Sequence, residues 1–365
     1  MEAVCYQLNN PMTQYNEVSK DLQKILDNTV DNRKVFGTSF AIKKDSLTWL
    51  GASGNLSKEE PYFIASTTKL FTTAIILRLK SEGKLSLEDK ISKYLDAAVM
   101  NGLHLYKGKD YSDDLTIRHL LAHTSGLADY FQGKGANGKS LEDEITSGKD
   151  QFWTFEQAIE RTKAMKPLFG PGTKNKANYS DANFQLLGKI IEVITDKSYS
   201  SNCDELIITP LHLSSTYLYK DAADKTPKTL YYKSNELDIP KAMTSFGADG
   251  GIVSTSSDML IFLEAFFSGK LFPKAYINDL QEWNKIFFPM QSGIGIHLFK
   301  LPWIFNPTGV MPYFIGHSGL SGALAYYSPK ENLYIAGTVN QVGHPDISFK
   351  TMIKLAKTVI RKKVK

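Results

Sequence analysis

An α+β architecture, with an antiparallel β-sheet flanked by helices and an all-helical domain inserted into it, is predicted by three features of the 365-residue sequence. Strand-like runs cluster towards both ends of the chain. Helical periodicity fills the middle. The last two strand-like runs are joined by a tight turn, which makes an antiparallel hairpin rather than a crossover. The boundaries that follow place a discontinuous sheet domain at 1–80 and 235–365, a mainly helical domain at 81–234, and the active site at their interface.

The elements follow in order. In "YNEVSKDLQKILDNTV", Val18, Leu22, Ile25 and Leu26 recur at helical spacing. "FGTSFAIKK" and "SLTWLGASG" read as two strands. A long helix runs from Ser66 to about Glu82 and is closed by Gly83. "LTIRHLLAHTSGL" is a short helix ending in a turn, and "TFEQAIERTKAM" and "DANFQLLGKIIEVITDKS" are further helices. "YFQGKGANGKSLEDEITSGKD", rich in glycine and charge, reads as a loop. "GADGGIVS" is a glycine-rich strand leading into the helix "SSDMLIFLEAFFSG", where Thr255 and Asp258 have capping-box spacing. "GIGIHLF" is strand-like. "GALAYYS", "PKEN" and "LYIAGTVN" form the hairpin, and "SFKTMIKLAKTVIRKK" is a closing helix.

Composition excludes several classes. Hydrophobic residues make up 42% and charged residues 22%, so a large core forms without metal or disulfide staples. The net charge of +5 is spread over scattered lysines. The one dense basic run, Arg361 to Lys365, reads as a solvated helix end, so no nucleic-acid partner is expected. No stretch approaches 18 apolar residues, so no membrane span is expected. The first residues lack a basic region followed by an apolar one. That places the protein in the cytoplasm if Met1 is the native start, and outside it if a leader has been removed. Cys5 and Cys203 are too few for a disulfide framework; a single bridge or two free thiols both fit.

Three short stretches carry candidate chemistry. In "YFIASTTKLFTT", Ser66 and Lys69 stand at i and i+3, one helical turn apart. A serine at a helix start lies near unpaired amides that can hold an oxyanion, and a desolvated lysine can serve as its base. The plainer reading makes Ser66 an N-cap and sends Lys69 to solvent. A second Ser-x-x-Lys, Ser81 to Lys84, straddles a glycine turn and carries no meaning. In "FGPGTKNKANYSDANFQLLG", Tyr179 lies two residues before Asp181 and can relay protons, or can be a packed loop aromatic. In "FIGHSGLSGALAYYS", His317, Ser318 and Gly319 start an edge-like strand that can bind substrate by strand addition, with the Leu320 amide as second oxyanion donor. The alternative is a turn histidine.

The order and separation of these stretches resemble the serine β-lactamase and penicillin-binding protein superfamily, in its class C β-lactamase-like branch. That branch includes D-Ala-D-Ala carboxypeptidases, D-aminopeptidases and esterases. "GKLSLEDKISKYL", "LTIRHLLAHTSGL" and "GADGGIVSTSSDMLIF" also look like family segments, and the likeness covers roughly residues 35–345. The resemblance implies that Ser66 is the nucleophile, that Lys69 and Tyr179 move its proton, and that no cofactor is required. It implies that Asp181, His317, Ser318, Gly319 and Leu320 contact substrate.

Two positions depart from the pattern. His317 stands where the family has lysine, which weakens any anchor for a substrate carboxylate. Asp181 stands where the family has asparagine. An ionised Asp181 favours a charged Lys69 and can attract a substrate amine, or it hydrogen-bonds Lys69 as asparagine would. The expected function is a serine hydrolase acting on a small-molecule or peptide acyl substrate through an ester, amide or D-amino-acid peptide bond. The alternatives are a penicillin-binding protein or weak β-lactamase, and an idle binding protein on the same fold.

His119 and His123 have i, i+4 spacing but no third ligand, so no metal site is expected. The aromatic segment "FKLPWIFNPTGVMPYF" fits a pocket wall and a core equally well.

Overall fold

The computed structural model describes residues 11–135 and 138–362. Cys5, Lys363 and Lys365 lie outside the described residues; Cys203 is a buried free thiol.

Eight strands form one antiparallel sheet. They are β1 (Gly37–Lys44), β2 (Leu47–Gly54), β3 (Asn284–Phe287), β4 (Met290–Ser292), β5 (His297–Phe299), β6 (Phe314–Ser318), β7 (Ala323–Ser328) and β8 (Leu333–Thr338). Their order across the sheet is β3-β4-β5-β6-β7-β8-β1-β2. The expected hairpin is β7–β8, with Ser328 opposite Leu333 and Asn332 in the left-handed region at φ 45°. The two ends of the chain meet where β1 pairs with β8, Ser39 opposite Thr338.

Helices cover both faces because side chains alternate along each strand. Ala41, Ala325 and Ala336 face a core shared with α2 (Lys69–Ser81), α3 (Asp181–Thr195) and α4 (Ser256–Ser268). In that core Phe71 stacks on Phe262 at 3.8 Å. The intervening Ile42, Leu324 and Ile335 face α1 (Pro11–Asp27) and α5 (Asp346–Arg361). On α1, Val18, Leu22 and Leu26 are fully buried, the stripe that their spacing predicts.

The structure corrects four local expectations. β6 is an interior strand, flanked by β5 and β7, because β5, the strand-like "GIGIHLF" run, pairs with it; two strands not expected from sequence (β3 and β4) continue the sheet beyond β5. Its pairing with β5 nevertheless ends at His297 opposite Gly316, before His317 and Ser318. The charged loop after Tyr130 contains a helix, Leu141–Thr146, fixed by a capping box between Ser140 and Asp143. The box at Thr255 is half made. Thr255 accepts from the Asp258 amide, but the Asp258 carboxylate accepts from Ser215 and Thr216 instead. Finally, the aromatic segment divides: Phe299, Met311 and Phe314 are buried in the core, whereas Trp303, Ile304 and Phe305 are exposed.

Candidate active site

The strand Tyr62–Phe63 pairs with Ile252–Ser254 and leads the chain into the turn before α2. Ala65 sits in the left-handed region at φ 46°, a costly conformation for a residue with a Cβ. It presents Ser66 in the 3₁₀ turn Ala65–Thr68, and α2 begins at Lys69.

Lys69 is fully buried. Its Nζ donates to Asp181 Oδ1 at 2.6 Å, to the Asp249 carbonyl at 2.6 Å and to Ser66 Oγ at 3.2 Å. Three acceptors match the three protons of an ammonium. Tyr179 Oη donates to the same Ser66 Oγ at 2.7 Å. Ser66, Lys69, Tyr179 and Asp181 therefore meet at one point, from two helix starts that are 112 residues apart.

Charge is concentrated behind this point. The Asp249 carboxylate accepts from Tyr130 Oη and Gln185 Nε2. Burial, with the nearby Asp181 charge, pushes its carboxyl up to about 7. Asp129, buried and close to Asp181, is raised well above the usual carboxylate range for the same two reasons. Burial and then the Asp181 charge also push the Tyr179 phenol well above its ordinary value, so the phenol keeps its proton.

Opposite Lys69, the His317 ring stacks on His297 at 4.0 Å, and its Nδ1 accepts from the Ser318 amide. Burial first, then the charges of His297 and Lys69, hold His317 well below its ordinary value; burial brings His297 to about 3. Both rings are neutral at physiological pH. Gly319 backs onto Ser66. A Cβ there would lie 2.4 Å from the Ile64 carbonyl oxygen and 3.1 Å from Ser66 N. Leu320 follows at the mouth of both cavities described below.

His119 and His123 do not converge. His119 Nδ1 accepts from the Thr116 amide in a capping box, while His123 stacks under Tyr179 at 4.6 Å. Among the described residues no group of three or more metal-ligating side chains is arranged to hold an ion. Asp249, Asp129 and His297 were not singled out from the sequence. The aspartate in the glycine-rich "GADGGIVS" was the only signal that pointed to any of them.

Two cavities meet at Ser66. One, of about 60 Å³, is walled by apolar side chains that include Ile145, Ile239, Met243 and Phe246. The other, of about 630 Å³, lies between Tyr179, His297 and the aromatic rings of Phe287, Phe299 and Phe349.

The Beta-lactamase family model matches residues 22–355. The chain belongs to the β-lactamase family. Within it, "Protein flp" of Staphylococcus aureus (strain N315) is 30% identical over 210 residues, 55% of this chain and 38% of that protein. The chain thus spans well under half the length of that relative. Among solved structures, a D-stereospecific amidohydrolase from Streptomyces sp. superposes with a TM-score of 0.74 at 26% identity, covering 91% of this chain and 97% of that one. An octameric penicillin-binding protein homologue from Pyrococcus abyssi gives 0.72 at 25% identity, covering 93% and 77%. This β-lactamase-family member has the mixed helix and antiparallel-sheet fold of those proteins, and among its described residues no helix is long and apolar enough to cross a membrane.

Proposed function

We propose that this protein is a serine hydrolase that forms an acyl-enzyme at Ser66 with an uncharged ester or amide. The observation that carries the reading is the double contact of Ser66 Oγ, 3.2 Å from Lys69 Nζ and 2.7 Å from Tyr179 Oη.

The steps follow from the charges around it. Lys69 passes one proton to Asp181 Oδ1 and takes the proton of Ser66, whose oxygen bonds to the substrate carbonyl carbon. The low-dielectric surroundings make this transfer inexpensive, because converting a buried ion pair into a neutral pair removes two desolvated charges. The amides of Ser66 and Leu320 hold the oxyanion. Tyr179 protonates the leaving group and recovers its proton from Lys69, which in turn regains one from Asp181. Water repeats the sequence to release the acyl group.

The neutral His317 favours an uncharged substrate. A D-Ala-D-Ala terminus or a penicillin carries a carboxylate, and no permanent cation stands at His317 to meet it. The Streptomyces amidohydrolase, whose name describes amide cleavage, supports an amide as one substrate class.

Incubation with a fluorophosphonate probe, followed by intact mass spectrometry, tests the reading. Labelling at Ser66 that disappears in Ser66→Ala is expected, together with hydrolysis of neutral esters and slow or absent acylation by benzylpenicillin. An unlabelled Ser66 would favour the idle binding protein; rapid penicillin turnover would favour a β-lactamase.

A further inference from the structure

The aromatic segment before β6 is left unused by the proposed chemistry. Trp303, Ile304 and Phe305 are 78%, 72% and 66% exposed, and Phe288, in the turn between β3 and β4, is 81% exposed. Single exposed apolar residues are ordinary, but four large ones on two turns are not. Register brings the turns together. Met290 lies opposite Phe299, so the Phe288–Pro289 turn and the chain leaving β5 emerge at the same end of the sheet. That end is also the mouth of the larger cavity, which Phe288, Phe299 and α5 residues Phe349 and Lys350 line. Phe288 therefore lines the mouth itself, and Trp303–Phe305 follow shortly after the wall residue Phe299 without lining the cavity.

The unpaired charge near them is basic, since Asp346 at the cavity mouth is paired with Lys350. Between Glu282 and Glu331 the chain carries Lys285, Lys300 and Lys330 and no acidic residue. Lys285 and Lys300 are exposed and form no ion pair among the described residues. A second copy of this chain would bring a second set of the same lysines to the contact, because a two-fold contact uses the same patch on both subunits. An anionic lipid surface would accept them. Tryptophan and phenylalanine beside lysine are the residues that bind such an interface, rings in the headgroup layer and ammonium groups on the phosphates.

We propose that Phe288 and Trp303–Phe305 dock on an anionic lipid–water interface and set the mouth of the larger cavity against it. The substrate would then be an apolar ester or amide held in the lipid phase. This second clause rests on the hydrolase reading; the docking does not.

Docking is measured with Ser66→Ala protein, so that it stands apart from catalysis. The protein is sedimented with vesicles of phosphatidylcholine, with and without phosphatidylglycerol. Expected are co-sedimentation that needs phosphatidylglycerol and weakens with salt, and a blue shift of tryptophan emission, since Trp303 is the highly exposed one. The triple variant Trp303→Ser/Ile304→Ser/Phe305→Ser, made with Ser66 intact, should lose at least about tenfold in vesicle binding. Its Tm and its kcat/KM on a soluble short-chain ester should be unchanged. Equal vesicle binding by the parent and the triple variant would overturn the proposal. So would a dimer of the parent chain that the triple variant converts to monomer.

Discussion

Lys69 Nζ lies 2.6 Å from Asp181 Oδ1, and both side chains are shut away from solvent, at 0% and 7% exposure. A carboxylate so close to the proposed base can act in two opposite ways. It can hold the lysine protonated and idle, or it can take the lysine's proton and free it to act.

The relay proposed above separates these. Asp181→Asn removes the proton acceptor of that relay and leaves an amide that can still hydrogen-bond Lys69. kcat at pH 7 should fall roughly 10–100-fold. An unchanged or raised kcat would mean that the carboxylate only restrains Lys69.

Tyr179→Phe removes the phenol that donates to Ser66 Oγ and keeps the ring stacked on His123. A loss of roughly 10²–10⁴ in kcat is expected for amides with poor leaving groups. It should be much smaller for p-nitrophenyl esters, whose leaving group needs no proton. Equal losses on both substrates would remove Tyr179 from the acid role.

Gly319→Ala places a methyl 2.4 Å from the Ile64 oxygen and 3.1 Å from Ser66 N, where the oxyanion is to sit. Loss of an oxyanion donor costs roughly 10²–10³ in kcat. Burst labelling of Ser66 should slow by that factor, while circular dichroism stays native. An unaffected rate would show that the oxyanion is held elsewhere.

Acid should destabilise the fold. The unfolded chain protonates its histidines near 6.5, whereas in the fold His297 takes a proton only near 3, and His123 and His317 also lie well below 6.5 because of burial. Stability is therefore lost as pH falls below 6.5, by about 1.4 kcal/mol per pH unit for each excluded proton. Asp249 opposes this. Raised to about 7 in the fold, it contributes stability at low pH that fades as pH rises towards 7. In His297→Phe the urea-unfolding free energy should change less between pH 6.5 and pH 5 than in the parent. An identical slope would mean that His297 does not stay neutral.

The cavity of about 60 Å³ beside Ser66 is too small for a ring; roughly 150 Å³ is needed to admit benzene. Among p-nitrophenyl esters, kcat/KM should peak at short aliphatic acyl groups. Met243→Ala should move the peak to longer chains, each accommodated methylene being worth about 1 kcal/mol or more. A peak that stays put would assign the acyl group to the larger cavity.

The legible part of this molecule was what local pattern encodes. Ser66, Lys69 and Tyr179 sit in short segments whose order is distinctive, and β1, β7 and β8 read as strand-like runs bounded by turn residues. β3 and β4 were missed because they are three or four residues long and are broken by Pro289, too short for periodicity to register. β6 looked like an edge because no local pattern shows that β5 pairs with it. Asp249 and His297 escaped because what matters about them is a neighbour far along the chain. Asp249 lies 180 residues from Lys69, and no window of sequence contains both. The outward face of Trp303–Phe305 was illegible for a different reason: hydrophobic residues carry no mark that separates a buried wall from an exposed one.

The pairing of β1 with β8 has a consequence for a chain still being made. Thr38 Oγ1 donates to the Thr338 carbonyl, 300 residues further on, and β6 with its His317–Leu320 turn is held in the same sheet. At roughly 5–20 residues per second, Ser66 leaves the ribosome ten seconds or more before Leu320 does. Throughout that interval the proposed nucleophile lacks its proposed second oxyanion donor and a finished wall. On the proposed mechanism a nascent chain is chemically mute until its last strands close the sheet.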